Sequence, residues 1–356
     1  MVRWRAGIVS GIRRGWRGAA ELDVDTDEGP VRALAYPALV GMPEPGDRVL
    51  LNVGALVMGL GTGGYALVVA LPDRLPPDPP DNGTTRDSGH LVKARYTPLQ
   101  PIVLGVDEQA SPHREVMATA EYLDGMPVVV ADLHSALPAI LAGVHCDRPQ
   151  ARVAYVMTDG GALPAWFSRT LDGLAGHLAG TVTAGQAFGG DLEASTLHTA
   201  LLAARHVLGA DVTIVTQGPG NLGTGSTWGF SGVAAGEAVN AAGTLGGRPV
   251  ASVRISAGDA RERHRGVSHH SLTAYGRVAL LPADLPVPAD LPPGVAEALA
   301  PLLTRHRLVP VPTDGLDAAL RSSVVPLSTM GRNLDQDHVY FLSAAVAGRH
   351  AASLST

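Results

Sequence analysis

Ionisable and glycine-rich segments follow apolar runs again and again in this sequence, and their residue types define the chemistry to look for. The densest group is Asp259, Arg261, Arg263, His264, Arg265, Ser268, His269 and His270. Arginine forks hold phosphate or carboxylate through paired hydrogen bonds, while neutral imidazoles carry protons or ligate metal. Arg261 and Arg265 are therefore candidates to offset the charge of an anion, and His269 and His270 are candidates for acid–base work. A solvated loop of Arg–Glu pairs is the plainer reading of the same residues. Asp159, in the run Met-Thr-Asp-Gly-Gly, is a further acid–base candidate, equally suited to a metal, a ribose hydroxyl or a helix cap.

A second segment runs Gly218-Pro219-Gly220-Asn221-Leu222-Gly223-Thr224-Gly225-Ser226 after a strong apolar stretch. Its G-x-G-x-x-G spacing lets backbone N–H groups approach a pyrophosphate. Gly218, Gly220, Gly223, Thr224, Gly225 and Ser226 are the candidate anion ligands. The next helix is expected only near Gly232, and no acidic residue ends the following strand, so a phosphate loop fits better than a dinucleotide fingerprint. The same formula recurs at Gly59–Gly64, where no helix follows. Asp132-x-His134, Gly190-Asp191, Gly220-Asn221 and His269-His270 together resemble a degraded metallophosphoesterase order, which lacks a terminal G-H-x-H. That resemblance makes Asp132, His134 and Asp191 candidate ligands of a divalent metal that would activate water, joined by Asn221 and His269. No G-x-S-x-G elbow surrounds Ser231, and Cys146 reads as an inert buried thiol.

The elements that must position these groups fall into two sets. Over residues 1–71, short aliphatic and β-branched runs at 7–10, 20–26, 31–36, 48–53 and 65–70 are divided by Gly, Pro and Asp, which predicts a small antiparallel β barrel or sandwich. A Pro-rich loop spans 75–87, and strand-like runs at 90–96 and 101–106 follow. From about 106 the pattern changes to apolar strands at 127–131, 152–157, 181–183, 211–216 and 249–255. Helices alternate with them at 136–142, 165–178, 195–208 and 233–245, after a first one at 111–123. Continuous apolar strands alternating with helices predict a Rossmann-like, mostly parallel, doubly wound α/β sheet. A helical C-terminal extension begins near 281, after a second Pro-rich passage at 281–293. The expected domains are 1–105 and 106–356. Because parallel strands put their carboxyl ends at one edge, the segments after them converge on a crevice there.

Composition narrows the classes. With 27 basic and 33 acidic residues the net charge is −6, which argues against general nucleic-acid or anionic-membrane binding. Lys93 is the sole lysine, and the one cysteine excludes an internal disulfide or a cysteine-cluster metal site. The apolar stretch 49–71 is interrupted by glycines and is too broken to span a membrane. Arg3, Arg5, Arg13, Arg14 and Arg17 are scattered among short apolar pieces without a signal-peptide core, so a cytoplasmic protein is expected.

The segments MTDGGALPAWFSRT, GQAFGGDLEA, GPGNLGTGSTWGFSG and RISAGDARERHRGVSHHSLTAYG resemble an uncharacterised bacterial family of similar chain length. That resemblance implies one complete unit and carries no catalytic residue with it. Three functions follow from the residues. The first is an enzyme that binds a phosphorylated or nucleotide-like small molecule across the strand ends. The second is a metal-dependent phosphoesterase, with a divalent metal as cofactor. The third is a non-catalytic sensor or scaffold. The oligomeric state is left open.

Overall fold

Alternating apolar and polar residues in the first 70 positions close five strands into a barrel: β1 (Trp4–Trp16), β2 (Ala19–Thr26), β3 (Gly29–Ala35), β4 (Arg48–Asn52) and β5 (Ala66–Ala70). The computed structural model describes residues 2–61, 63–78, 89–291 and 294–355, so the Pro-rich loop at 75–87 lies outside the described residues from 79 onward. Around the barrel the order is β1-β2-β3-β5-β4, antiparallel throughout except for β3 against β5. Its core follows the two-residue period of a strand: Leu22 and Val24, Ala33 and Ala35, Val49 and Leu51, Ala66 and Val68 all point inward. β1 reaches both neighbours because its pairing with β2 shifts register between Val9 and Gly11 and between Ile12 and Gly15. The expected strands at 90–96 and 101–106 reduce to a two-residue pair, Leu91–Val92 with Ile102–Val103.

The chain divides into two units, 1–103 with 166–172 and 104–165 with 173–356. That division runs through the helix expected over 165–178. A 3-10 turn (Ala165–Phe167), a helix (Arg169–Leu174) and a second 3-10 turn (Ala175–His177) replace it. The side chains of 166–172 serve the barrel unit. Arg169 lies 4.9 Å over the Trp16 ring and 3.5 Å from Glu21, and Trp166 meets Tyr36. Leu174, which is buried, belongs to the other unit.

The second unit is an eight-stranded sheet of β6 (Pro127–Val130), β7 (Val153–Thr158), β8 (Gly180–Thr183), β9 (Leu192–Glu193), β10 (Val212–Gln217), β11 (Arg248–Ala251), β12 (Asp284–Pro288) and β13 (Arg307–Val311). Every pairing is parallel, in the order β9-β8-β7-β10-β6-β11-β12-β13. Helices α1 (Leu137–Asp147), α2 (Leu197–His206) and α3 (Ala234–Thr244) connect the strands, and the long C-terminal α6 is His338–Leu354; the short α4 (His269–Thr273) and α5 (Leu316–Arg321) lie between. One face is covered by α2 and α3, which share a core with Val128, Val130, Ala154, Val156 and Val215. α1 and α6 pack together on the opposite side. Burial on both faces explains why the strands read as continuous apolar runs.

β12 was not expected, since it falls in the Leu-Pro-Val-Pro passage. Its ladder shows how prolines are accommodated. The Arg307 N–H donates to the Ala283 carbonyl and the Ala289 N–H to the Val311 carbonyl, so the odd-numbered residues of β12 face β13. Pro286 and Pro288, which lack an N–H, therefore both face β11, where pairing is limited to Val250 with Asp284.

Two features of this fold generate measurable consequences. α1 and α6 approach so closely that a Cβ on Gly348 would lie 1.9 Å from the Ile140 carbonyl oxygen, and one on Gly143 would lie 1.9 Å from that of Ala345. Gly348→Ala should lower the unfolding free energy by about 1–3 kcal/mol or more, whereas Gly176→Ala, which meets nothing within 4 Å, should change it by less than about 0.5 kcal/mol. Denaturant titration of both variants measures this, and equal effects would contradict the packing. Burial also lowers the pKa of His134, whose Nδ1 lies 2.9 Å from the Tyr155 hydroxyl, to about 4. Unfolded, the ring takes its proton near pH 6.5. Between those values the unfolded chain binds more protons, so stability present above pH 6.5 is lost as pH falls to 4, by about 3 kcal/mol. His134→Gln should flatten the fall of the denaturation midpoint across that window, and an unchanged slope would contradict the assignment.

Candidate functional site

The strand order places the site. β6, the first strand of the sheet in sequence, lies near its middle; the chain moves outward through β7, β8 and β9, returns to β10, and then crosses β6 to β11. The loops that leave β6, β10 and β11 are thus neighbours at the carboxyl edge, where the direction of winding reverses. Asp132 follows β6, Gln217 ends β10 and Arg254 lies just beyond β11. Gln217 Nε2 donates to the Asp132 carbonyl (2.7 Å) and to Asn221 Oδ1 (2.8 Å), tying two of these loops together. Asp132, Thr158, Gln217, Ser231 and Gly232 border a cavity of about 10 Å³ here, room for a single water.

After Ala251 the chain leaves the sheet and forms a small hairpin, Ile255–Ser256 with Gly266–Val267, whose tip carries Asp259, Arg261 and His264. Ser268 then caps α4, its Oγ accepting the His270 N–H, which sets His269 and His270 at the start of that helix. Asp337, just before α6, holds the hairpin from the other side. Its Oδ2 accepts from Ser256 Oγ (2.6 Å) and Arg332 Nε (3.0 Å), and its Oδ1 accepts from the N–H groups of Ala257 and Gly258.

At the centre is Arg254, 3% exposed. Its Nη2 donates to Asp259 Oδ2 at 3.0 Å, and its Nη1 lies 3.8 Å from Asp132 Oδ2. Asp259 also accepts from Arg261 through Nε and Nη2 (2.9 Å each) and from Arg332 (3.2 Å). Burial works against the Asp259 charge, but the arginines, Arg261 foremost, outweigh it and hold the pKa below the usual carboxylate range. The imidazoles respond in the opposite sense. Burial, followed by the fields of Arg254 and Arg261, lowers the His264 pKa to about 3, and burial and His270 lower that of His269. Both rings are neutral at pH 7. Phe230 stacks flat on His270, with ring centroids 3.7 Å apart.

Of the nine buried side-chain nitrogen and oxygen atoms without a hydrogen-bond partner among the described residues, six belong to this site: Asp132 Oδ2, Gln217 Oε1, Arg254 Nε and Nη1, His269 Nε2 and His270 Nδ1. Buried polar groups are nearly always satisfied, so this concentration of unsatisfied ones sets the site apart among the described residues.

Several residues singled out by the sequence lie here and others do not. Asp132, His269 and His270 come together, with His270 Nδ1 3.6 Å from Asp132 Oδ2. Arg261 is engaged with Asp259, and Arg265 is exposed. In the glycine-rich segment, Gly218 is buried, where a Cβ would lie 2.3 Å from the Ala162 carbonyl oxygen. Gly220, Gly223, Thr224, Gly225 and Ser226 are exposed, in a turn closed by the Thr224 N–H to the Gly229 carbonyl and by Thr224 Oγ1 to Ser226 Oγ. A Cβ on Gly225 would lie 3.8 Å from the Arg263 guanidinium, so the turn borders the hairpin tip. Asp159 is exposed and accepts the Gln186 N–H at 2.8 Å. Asp191 accepts the Thr181 N–H on β8, three strands from β6 in the sheet, and His134 points to Tyr155 rather than towards Asp132's neighbours.

Sequence reasoning missed Arg254, Arg332 and Asp337. Arg254 had a signal, an arginine inside the apolar run Val-Arg-Ile, where a charge must be buried and paired. Arg332 and Asp337 lie more than 70 residues away in sequence and had none. No helix among the described residues is long and apolar enough to cross a membrane. No curated protein matches the chain. A family model described as "Protein of unknown function (DUF3866)" matches residues 32–348, from within β3 of the barrel through nearly all of the α/β unit that carries this site, and the chain therefore belongs to the DUF3866 family.

Proposed function

We propose that the polar site around Arg254 binds a small phosphorylated or nucleotide-like anion in the cytoplasm, and that phosphoester hydrolysis or transfer is the chemistry for which its groups are equipped. One observation carries this reading: a buried guanidinium anchored on Asp259 through Nη2 keeps Nε and Nη1 without a hydrogen-bond partner, Nη1 lying 3.8 Å from Asp132 Oδ2. Each of these two N–H groups, on different edges of the guanidinium, can donate to one oxygen of a phosphate or carboxylate. Arg263 and the turn Gly223–Ser226 supply further donors at the rim. Neutral imidazoles beside that guanidinium are suited to accept a proton or to present a bound metal to an ester oxygen. The free thiol of Cys146 accords with a reducing compartment.

The test is thermal unfolding of the full chain with inorganic phosphate, nucleoside monophosphates and sugar phosphates. A ligand at ten times its Kd adds about 1.4 kcal/mol of stability, which should raise Tm by about 2 °C in a chain of this size. Arg254→Gln should abolish the rise. Because Arg254 also supports Asp259, the exposed Arg263→Ala serves as a second variant, expected to weaken binding several-fold without lowering the ligand-free Tm. The absence of a shift with every anion at millimolar concentration would overturn the reading.

A further inference from the structure

Beside Arg254, three imidazoles converge. The ring centroids of His264, His269 and His270 are 4.9, 4.7 and 4.4 Å apart, and one ligand nitrogen from each lies within 4.8 Å of the other two. Among the described residues this is the one group of three or more histidine, cysteine or carboxylate side chains so arranged. We propose that His264, His269 and His270 hold a divalent transition-metal ion.

The far sides of the rings are arranged as ligating histidines require. His264 Nδ1 is paired with Ser268 Oγ at 2.8 Å, which leaves Nε2 for a metal. His270 Nδ1 faces the Asp132 carboxylate at 3.6 Å, the partner that commonly orients a ligand imidazole through its second nitrogen. His269 Nε2 is buried without any hydrogen bond, a costly state that ligation relieves. Phe230, stacked on His270, limits rotation of that ring. The nitrogens need only draw in to the roughly 3.3 Å spacing that metal–nitrogen distances of about 2.0–2.1 Å imply in a tetrahedral site. An all-imidazole set selects zinc, cobalt, iron or nickel over magnesium and calcium. Three protein ligands also leave a position open on a four-coordinate ion.

This inference shares the site proposed for anions but does not require an anion to bind. Chelator-stripped full chain is titrated with Co²⁺ in buffer free of phosphate, and uptake is read by visible absorption. One equivalent should bind, Zn²⁺ should displace it, and millimolar Mg²⁺ should not. His269→Gln and His264→Gln should each weaken cobalt binding at least tenfold, while the exposed His198→Gln leaves it unchanged. X-ray absorption of the zinc-loaded wild-type chain should show three imidazole ligands, a readout that stands even if a variant does not fold. No uptake of cobalt or zinc at 100 µM (about a hundredfold above micromolar affinity), or fewer than two imidazoles on the zinc, would overturn the proposal. Thermal shifts with phosphate in the presence of chelator separate the two readings, since a chain that binds metal but not phosphate fails the anion reading alone, and the converse fails this one alone.

Discussion

Burying a guanidinium at the end of a parallel sheet costs several kcal/mol unless carboxylates meet it, and much of the carboxyl edge is built to meet Arg254. Asp259 takes its Nη2, and Arg261 and Arg332 then offset the carboxylate from the hairpin and from the C-terminal segment. Arg332 is in turn fixed by Asp337 at the start of α6. Two stretches far apart in sequence, 254–261 and 332–337, are thereby joined through one buried charge. The arrangement stops short of completion. Nε and Nη1 of the same guanidinium are left open towards Asp132 and the imidazoles. Apolar side chains in such a site are often neutral or more stabilising, and the incomplete pairing is the basis of the binding proposed above.

Topology and glycine make that arrangement possible. The reversal of winding around β6 brings the loops after β6, β10 and β11 side by side. Close contact between the loops leaving β7 and β10 then depends on residues without side chains: a Cβ on Gly161 would lie 2.1 Å from the Gly218 carbonyl oxygen. Glycines of the phosphate-loop formula thus have two different duties here. Gly218 permits loop packing beneath the site, while Gly220 and Gly225, at φ +89° and +82°, turn the exposed segment back on itself.

Much of the architecture is legible in the sequence because the strands are buried on both faces and write themselves as uninterrupted apolar runs, such as Pro-Val-Val-Val and Val-Thr-Ile-Val. Elements that break that rule are illegible for identifiable reasons. β12 hides behind prolines that turn their missing N–H groups to one side, and the helix expected over 165–178 is divided because Trp166 and Arg169 serve the barrel. At the site, the ionisable density from Asp259 to His270 is visible locally, and strand ends point to Asp132. Pairing across the fold is not visible: nothing near Arg332 or Asp337 announces that they secure the hairpin on which Asp259 and His264 stand. Arg254 is the instructive omission, since a lone arginine in an apolar strand must find a buried partner.

The central claim is that Arg254 and its surrounding imidazoles form an incomplete polar shell awaiting an external partner. A crystal structure of the full chain grown with inorganic phosphate and zinc tests it most directly. The account predicts non-protein density within about 2.7–3.2 Å of Arg254 Nε or Nη1, the range of a hydrogen bond, or within about 2.0–2.2 Å of the clustered imidazole nitrogens. Should those atoms instead be satisfied by other protein side chains, with phosphate and zinc absent from the site, the account would be contradicted.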